Sequence, residues 1–479
     1  MKTNLHSQRG WRIFLRIIFC LLPCALSGYL IYVMLRYKFV PDKYLYVALA
    51  IIAAINILLS FLLMRRRNIK IARFFGYVIS ITVSATAIFG IYMVNNAIIT
   101  LENISNNNQN VITLSIIVLK DSAIKDETQL KDHSIAYANL QDEAYINKVT
   151  DGLSSKSTIK AASYPVLVNN LYDKTSDAII FNESYRGLIE SILVDFKDET
   201  RIIKQYTFKD SNTSTKTNLV SNSSPYNIYI SGVDTRDPTS TNGLSDSNII
   251  ATIDPVGKKI LLTTIPRDSY LPIALGGNNQ LDKLTHAGIY GIDSSVKTIE
   301  NLLNIQVAAY LRVNFTALID LVDELGGVDV DNPIAFTSTD KDAYFQAGTV
   351  HLDGKKALTY SRERQQLQNG DNDRGKNQER VIVAIFKKIS QPEYLLNYQS
   401  ILSTLGTSIQ TSLKPETIAL LVNMQVSYGG DWNIHMNALS GKGAMGLLSY
   451  AMPGSYVYVT KLSDESIVLA KEKISNIMK

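Results

Sequence analysis

The chain has 479 residues and a mass of 53.3 kDa, is 46% hydrophobic and 19% charged, and carries 48 basic against 43 acidic side chains. Its formal +5 invites a nucleic-acid partner, but residues 1–96 hold twelve basic side chains and one acidic one, Asp42, while the other 383 residues hold 36 basic and 42 acidic. The large part of the molecule is acidic, which argues against nucleic acid, and the length suits two or three domains.

Residues 17–35, 44–64 and 74–96 are uncharged for 19, 21 and 23 positions. Each is long enough to cross a hydrocarbon core of roughly 30 Å as a helix, so three transmembrane helices are expected. Pro23 would kink the first without excluding it. Arg9, Arg12 and Arg16 precede the first helix, and Arg65, Arg66, Arg67, Lys70 and Arg73 fill the loop between the second and third. The loop at 36–43 has three basic residues, so the positive-inside rule places the amino terminus in the cytoplasm and everything after about residue 97 outside. Both cysteines, Cys20 and Cys24, fall in the first helix, which leaves the exported part to hold together by core size rather than disulfides. The five histidines have no metal-ligand spacing.

Beyond the membrane segment, 111–119 reads as a strand from its β-branched content. Residues 126–149 read as a polar helix, and a strand at 177–181 followed by a helix over 183–194 repeats the order. This predicts a small α/β accessory domain over 111–206, after a linker at 97–110, with no nucleophile–base pair, metal cluster or phosphate loop; it reads as a spacer. The polar run at 207–225 buries little and marks a boundary.

The unit at 226–479 opens with strands expected at 226–230, 248–254 and 259–265. Ligands of α/β sheets gather at carboxyl ends of strands, and Asp234, Asp246 and Arg267 are placed to converge there. Helices are expected over 293–303 and from Phe315 to Leu325, the latter capped by Asn314 and stopped by Gly326-Gly327. The densest anomaly is Ser361-Arg362-Glu363-Arg364 followed by Gly370-Asp371-Asn372-Asp373-Arg374-Gly375-Lys376-Asn377-Gln378-Glu379-Arg380. A solvated charged loop is the plain reading. Guanidinium forks are also natural partners of phosphate oxygens, and aspartates beside them would hold a hard divalent cation bridging the same oxygens. On a membrane's outer face, with no GxxxxGK[ST] loop, a lipid-linked diphosphate is a better substrate class than ATP. Helices at 412–426, broken by Gly429-Gly430, and at 463–478 are expected to complete this domain's scaffold, with Trp432 a structural residue.

Five blocks in this order, Ile230-Ser231-Gly232-Val233-Asp234-Thr235-Arg236, Leu244-Ser245-Asp246-Ser247, Ile265-Pro266-Arg267-Asp268, Tyr360-Ser361-Arg362-Glu363-Arg364, and Asp371-Asn372-Asp373-Arg374 leading to Gln378, resemble the LytR-CpsA-Psr family. The three-helix amino terminus with an accessory domain resembles its CpsA-type members encoded with streptococcal capsule genes. The resemblance implies an α/β catalytic domain, a central mainly β-sheet flanked by helices, that moves a glycopolymer from undecaprenyl diphosphate to peptidoglycan through a phosphodiester. It implies Mg2+, with Mn2+ substituting, on Asp234 and Asp246; diphosphate binding by Arg267, Arg362, Arg364, Arg374 and Gln378; and an apolar cavity for the polyprenyl tail. Asp234, Asp246 and Asp371 are candidates for taking the incoming hydroxyl's proton, and the residues do not choose among them. Many members have arginine directly before the glutamine, where this chain has Asn377. The expected partners are a lipid-linked capsular polysaccharide, the peptidoglycan acceptor, the bilayer and other capsule-assembly proteins. A non-catalytic polyprenyl-phosphate or polysaccharide binder, and a lipid-diphosphate hydrolase, remain the alternatives.

Overall fold

The structure is a computed structural model that describes residues 2–37, 42–64, 70–106, 110–138, 143–153, 155–210, 220–233, 242–391, 393–394, 401, 404 and 409–479. It divides into two compact units, Met1–Asn103 with Lys414–Gly430, and Ile104–Leu413 with Asp431–Lys479.

In the first unit three helices, α1 (Lys2–Tyr37), α2 (Asp42–Met64) and α3 (Lys70–Asn106), contain the membrane-length spans Ile13–Tyr37, Tyr44–Met64 and Lys70–Asn96. They form a multi-pass membrane anchor. Large apolar side chains such as Ile57, Phe89 and Phe61 are exposed, as expected of surfaces facing lipid. Pro23 has no N–H to give the carbonyl of Phe19 one turn earlier. The hydroxyl of Ser80 on α3 donates to that carbonyl at 2.5 Å, so the defect in one helix becomes a bond between two. Ser27 Oγ donates to the carbonyl of Pro23 at 2.6 Å. The helix Pro415–Tyr428 groups with this unit. Glu416 is its one charged residue, and Ile418, Leu420, Leu421 and Val422 are among its apolar positions.

The second unit begins with a five-stranded sheet, β1 (Asn110–Leu119), β2 (Ser134–Ala138), β3 (Ser157–Ala161), β4 (Ala178–Asn182) and β5 (Thr200–Asp210), in the order β3-β2-β4-β1-β5. β2 runs parallel to β3 and β4, and β1 antiparallel to β4 and β5. The helix expected over 126–149 is broken up: a 3-10 turn at Glu127–Asp132 is followed by β2, and the helix proper starts at Glu143. Ile135, Ala136 and Ala138 are buried between neighbouring strands, so tertiary pairing overrides the polar pattern around them. The stretch read as the start of a polar linker continues β5 to Asp210, paired with Asn110.

A six-stranded sheet follows. Its central strands are β6 (Tyr226–Val233), β7 (Ser245–Asp254) and β8 (Lys259–Thr264), and Ala309–Asn314, Ile409–Thr411 and Asn433–Ala438 complete it. Ala309–Asn314 is parallel to β6, and Asn433–Ala438 is parallel to β8. One face packs Tyr229, Ile250 and Leu261 under the helices Ile292–Leu303 and Asp464–Met478; the other packs Ile249, Ala251, Ile260 and Leu262 under Ile382, Val383 and Phe386 of the helix Asp371–Ile389. Trp432 sits edge-on to Phe386, partly buried, as a structural residue.

Two local readings hold in detail. Asn314 caps the helix Phe315–Glu324 by accepting from the N–H of Ala317, and Gly326 and Gly327 follow it at φ +67° and +85°. The next helix, Gly354–Arg362, starts where Gly354 donates its N–H to Asp323 at 2.7 Å. A Cβ at Gly354 would lie 2.3 Å from the carbonyl oxygen of Ile319, so only glycine allows this approach. Gly354→Ala is therefore expected to destabilise this unit by about 1–3 kcal/mol, as overpacking does, read by denaturant unfolding.

Candidate functional site

Four strand ends meet at one edge of the six-stranded sheet: β6 ends at Val233, β7 starts at Ser245, β8 ends at Thr264, and Asn433–Ala438 ends beside it. The first turn of the helix Asp371–Ile389 lies across the end of β8. A Cβ at Gly375 would reach 2.8 Å from Thr264 Cγ2, so the glycine sets this approach. Asp371, Arg374 and Gln378, spaced three and four apart, therefore share the helix face that closes a cleft floored by Thr264, Ile265, Pro266 and Arg267.

Each arginine in the cleft is held by a carboxylate. Arg267 Nη1 donates to Asp246 Oδ1, which Thr285 Oγ1 also approaches at 3.4 Å. Arg374 Nη2 donates to Asp371 Oδ1. Asp268, 2% exposed, lies behind them, with Lys283 Nζ at 3.0 Å, Arg364 Nη1 at 3.8 Å and Arg267 Nε at 3.9 Å. Burial alone would push the Asp268 carboxyl up, but Lys283, Arg267 and Arg364 outweigh it and hold it below the usual range. Burial raises Asp371 instead, offset only in part by Arg374, and burial lowers Arg374 against the pull of Asp371.

The sequence-predicted residues fall into three groups. Asp246, Arg267, Asp371, Arg374 and Gln378 line one cleft, and Arg364 joins it through Asp268. Arg362 takes a different neighbour, its guanidinium carbon 4.4 Å from the centroid of the Phe315 ring. Asp234 lies outside the described residues. Asn377 is buried and turns from the cleft: its Nδ2 donates to the carbonyl of Tyr360 at 3.3 Å and its Oδ1 accepts from Arg380 at 2.7 Å. Lys376 pairs with Asp373 at 3.0 Å, and neither Lys376 nor Arg380 is among the residues that line the cleft. Asp268 and Lys283 were not singled out from the sequence. Asp268 stood beside a chosen arginine, and Lys283 had no local signal at all.

Among the described residues no group of three or more His, Cys, Asp or Glu converges as a closed metal site. Mg2+ rarely needs one: it is commonly held by one or two carboxylates and completes its shell with phosphate oxygens and water. Asp246, 16% exposed at the side chain and facing the cleft, fits that role.

Fold and cleft together define a membrane-anchored α/β protein whose paired arginines suit a phosphorylated ligand. The profile of the LytR_cpsA_psr family matches residues 192–467, more than half of the chain, and the chain belongs to that family. A relative from Enterococcus faecalis, named polyisoprenyl-teichoic acid–peptidoglycan teichoic acid transferase TagU, is 35% identical over 212 residues, 44% of this chain and 68% of its own length. The Bacillus anthracis protein of the same name is 35% identical over 221 residues, 46% of this chain and 70% of its own. The crystal structure of B. subtilis TagT, 26% identical, covers 55% of this chain and 94% of its own with a TM-score of 0.42. A profile described as a DNA polymerase processivity factor matches residues 70–181. That match is under a quarter of the chain and begins in a membrane-length helix, so it assigns no family.

Behind the cleft, Glu379 is 1% exposed and accepts from Thr264 Oγ1 at 2.8 Å. Burial pushes its carboxyl up from 4.5 to about 7 against the pull of Thr264 and Arg380. The folded state thus holds this proton more tightly than the unfolded chain. The resulting stability is complete below about pH 4.5 and is lost as pH rises through 7. Glu379→Gln, which keeps an acceptor for Thr264, should match the parent near pH 4.5 and exceed it by about 3 kcal/mol at pH 8, read from melting curves across that range.

Proposed function

We propose that the protein is a phosphotransferase that moves a glycopolymer from a polyprenyl diphosphate carrier to peptidoglycan through a phosphodiester. The observation that carries this reading is the cleft itself: Arg267 and Arg374 both line it, one from the segment after β8 and one from the helix Asp371–Ile389, each held by a carboxylate that a diphosphate can replace. Family membership and the names of the E. faecalis and B. anthracis relatives support the same reading.

In this proposal the acceptor hydroxyl attacks the phosphorus that carries the glycopolymer. A new P–O bond forms, the bond to the bridging oxygen breaks, and polyprenyl phosphate leaves with the electron pair. Arg267 and Arg374 take up the charge that grows on the leaving phosphate, with Arg364 and Lys283 behind them. Asp371, the described cleft carboxylate lifted by burial, is the better placed to accept the hydroxyl proton. Mg2+, or Mn2+ in its place, would sit on Asp246 and Asp234 and supply further charge neutralisation at the diphosphate. Gln378 Nε2, 3.4 Å from the carbonyl of Ser361, is oriented along the same wall.

Two polymers are in contention. The three-helix amino terminus with its extra domain resembles capsule-type members, which makes capsular polysaccharide our proposed cargo, with capsule-assembly proteins as neighbours in the bilayer. The relatives' names favour teichoic acid as the second reading.

The test incubates the full chain in detergent with peptidoglycan, Mg2+ and either lipid-linked polymer, and follows covalent polymer–peptidoglycan product and released polyprenyl phosphate. Acceptor-dependent product supports the transferase. Lipid retention without product would leave a binder, and release without acceptor a hydrolase. Arg267→Ala should lower turnover by about 10²–10³-fold, the usual loss on removing one charge-stabilising donor. Arg374→Ala should lose turnover similarly and melt earlier, because its loss leaves the partly buried Asp371 without its ion-pair partner.

A further inference from the structure

We infer that the five-stranded domain is a positioning element of the catalytic cleft, and that it acts through Leu244, which it holds in its own core two residues before Asp246. The inference rests on the function proposed above, since it takes Asp246 and Arg267 as site residues.

Among its described residues the domain has no group of three or more His, Cys, Asp or Glu, and its sequence reads as a spacer. Its core, however, is incomplete without the neighbouring sheet. Tyr164, Phe181 and Leu188 share one buried cluster with Leu244 and Ile289, both of which belong to the catalytic domain. Leu244 is 6% exposed and lies against Gly187: a Cβ there would touch Leu244 Cδ1 at 3.5 Å, so a methyl fits and a larger group does not.

Both anchors of Asp246 enter this core. Leu244 leads directly into Ser245 and Asp246 at the start of β7. Ile289 closes the turn after the short helix Leu284–Ala287, which carries Thr285, the second residue on Asp246 Oδ1. The two segments are locked together where Gly243 donates its N–H to the carbonyl of Gly288 at 3.2 Å, and a Cβ at Gly288 would collide with the Gly243 oxygen at 2.3 Å. On the sheet side, Ser245 Oγ is fixed by Ser231 at 2.7 Å and Asn248 at 3.0 Å. Asp246 is thus suspended between a hydroxyl network in one domain and an apolar socket in the other. Because Asp246 holds Arg267, movement of Leu244 in its socket moves the arginine meant for the diphosphate. Misplacement by about 1 Å can cost on the order of 10²-fold in rate.

The experiment uses the full chain in detergent and three readouts: the dissociation constant for inorganic pyrophosphate with Mg2+, by calorimetry; transfer turnover; and melting temperature. Leu244→Ala empties the socket, and Gly187→Phe fills it from the five-stranded domain, 59 residues away in sequence from Asp246. Met452→Ala cuts the same shared core at a side chain outside the 243–246 and 284–289 segments, keeping the backbone N–H that Met452 donates to Ser449 Oγ, and Gly187→Ala is the tolerated control. Leu244→Ala and Gly187→Phe should each weaken pyrophosphate binding and lower turnover on the order of tenfold or more. Leu244→Met should recover most of both, and Met452→Ala should lower the melting temperature while leaving both within about twofold. Unchanged binding and turnover in Leu244→Ala and Gly187→Phe would overturn the inference, as would equal losses in Met452→Ala, which would reduce the domain to a stabiliser. If Leu244→Ala does not fold, Gly187→Phe and Leu244→Met decide in its place. A parent chain that binds pyrophosphate but transfers nothing refutes the proposed reaction and leaves the binding comparison to judge the socket; one that does not bind it removes the site and the inference together.

Discussion

A carboxylate that is 2% exposed can stay ionised only if its neighbours replace the water it has lost, and Asp268 is that carboxylate here. Lys283, Arg267 and Arg364 supply the replacement from three separate segments of the chain. The consequence is geometric as well as electrostatic. The residue after Arg267 is tied to the ends of two other elements, so the guanidinium starts from a fixed root. A second strut comes from the hairpin Gly441–Leu448 and Tyr456–Leu462, whose Thr460 donates its N–H to the carbonyl of Asp268 at 2.7 Å. With that root in place, Arg267 reaches Asp246, and the helix carrying Arg374 and Asp371 lines the same cleft. Cations and carboxylates in such a site hold one another in the absence of ligand and can be exchanged for phosphate oxygens without rebuilding the backbone.

The same economy of polar groups recurs in the anchor. A proline inside α1 frees a carbonyl in a region without water, and Ser80 of α3 satisfies it. Asn56 of α2 meets Ser27 of α1 at 3.4 Å, so all three helices are joined by polar contacts while their outer surfaces stay apolar. The positive charge that dominates residues 1–96 belongs to topology, and the arginines of the cleft lie in the acidic part of the chain.

Much of the fold was legible because local signals were strong. Three uncharged runs of 19 to 23 residues announced the membrane helices, Asn314 and the Gly326-Gly327 pair announced a helix's two ends, and Tyr226-Asn227-Ile228-Tyr229-Ile230 announced a strand. The failures share a cause. β2 hid inside a polar segment because its burial comes from strands on either side of it, and the helix Asp371–Ile389 was obscured by a first turn rich in Asp and Asn, poor helix formers. Pro415–Tyr428 was legible as a helix from its apolar positions.

The sequence by itself determined the split between a basic membrane segment and an acidic exported part, the order of the motif blocks, and the residue types suited to a diphosphate. Those are properties of composition and spacing, which survive in one dimension. Only the tertiary structure decided which charges share a cleft: it brought Arg267 and Arg374 to the same one, added Asp268 and Lys283, set Arg362 on Phe315, turned Asn377 away, and put Leu244 into another domain's core. The physical reason is that ion pairing and burial depend on distances between residues far apart in the chain, and those distances exist only once both sheets have formed.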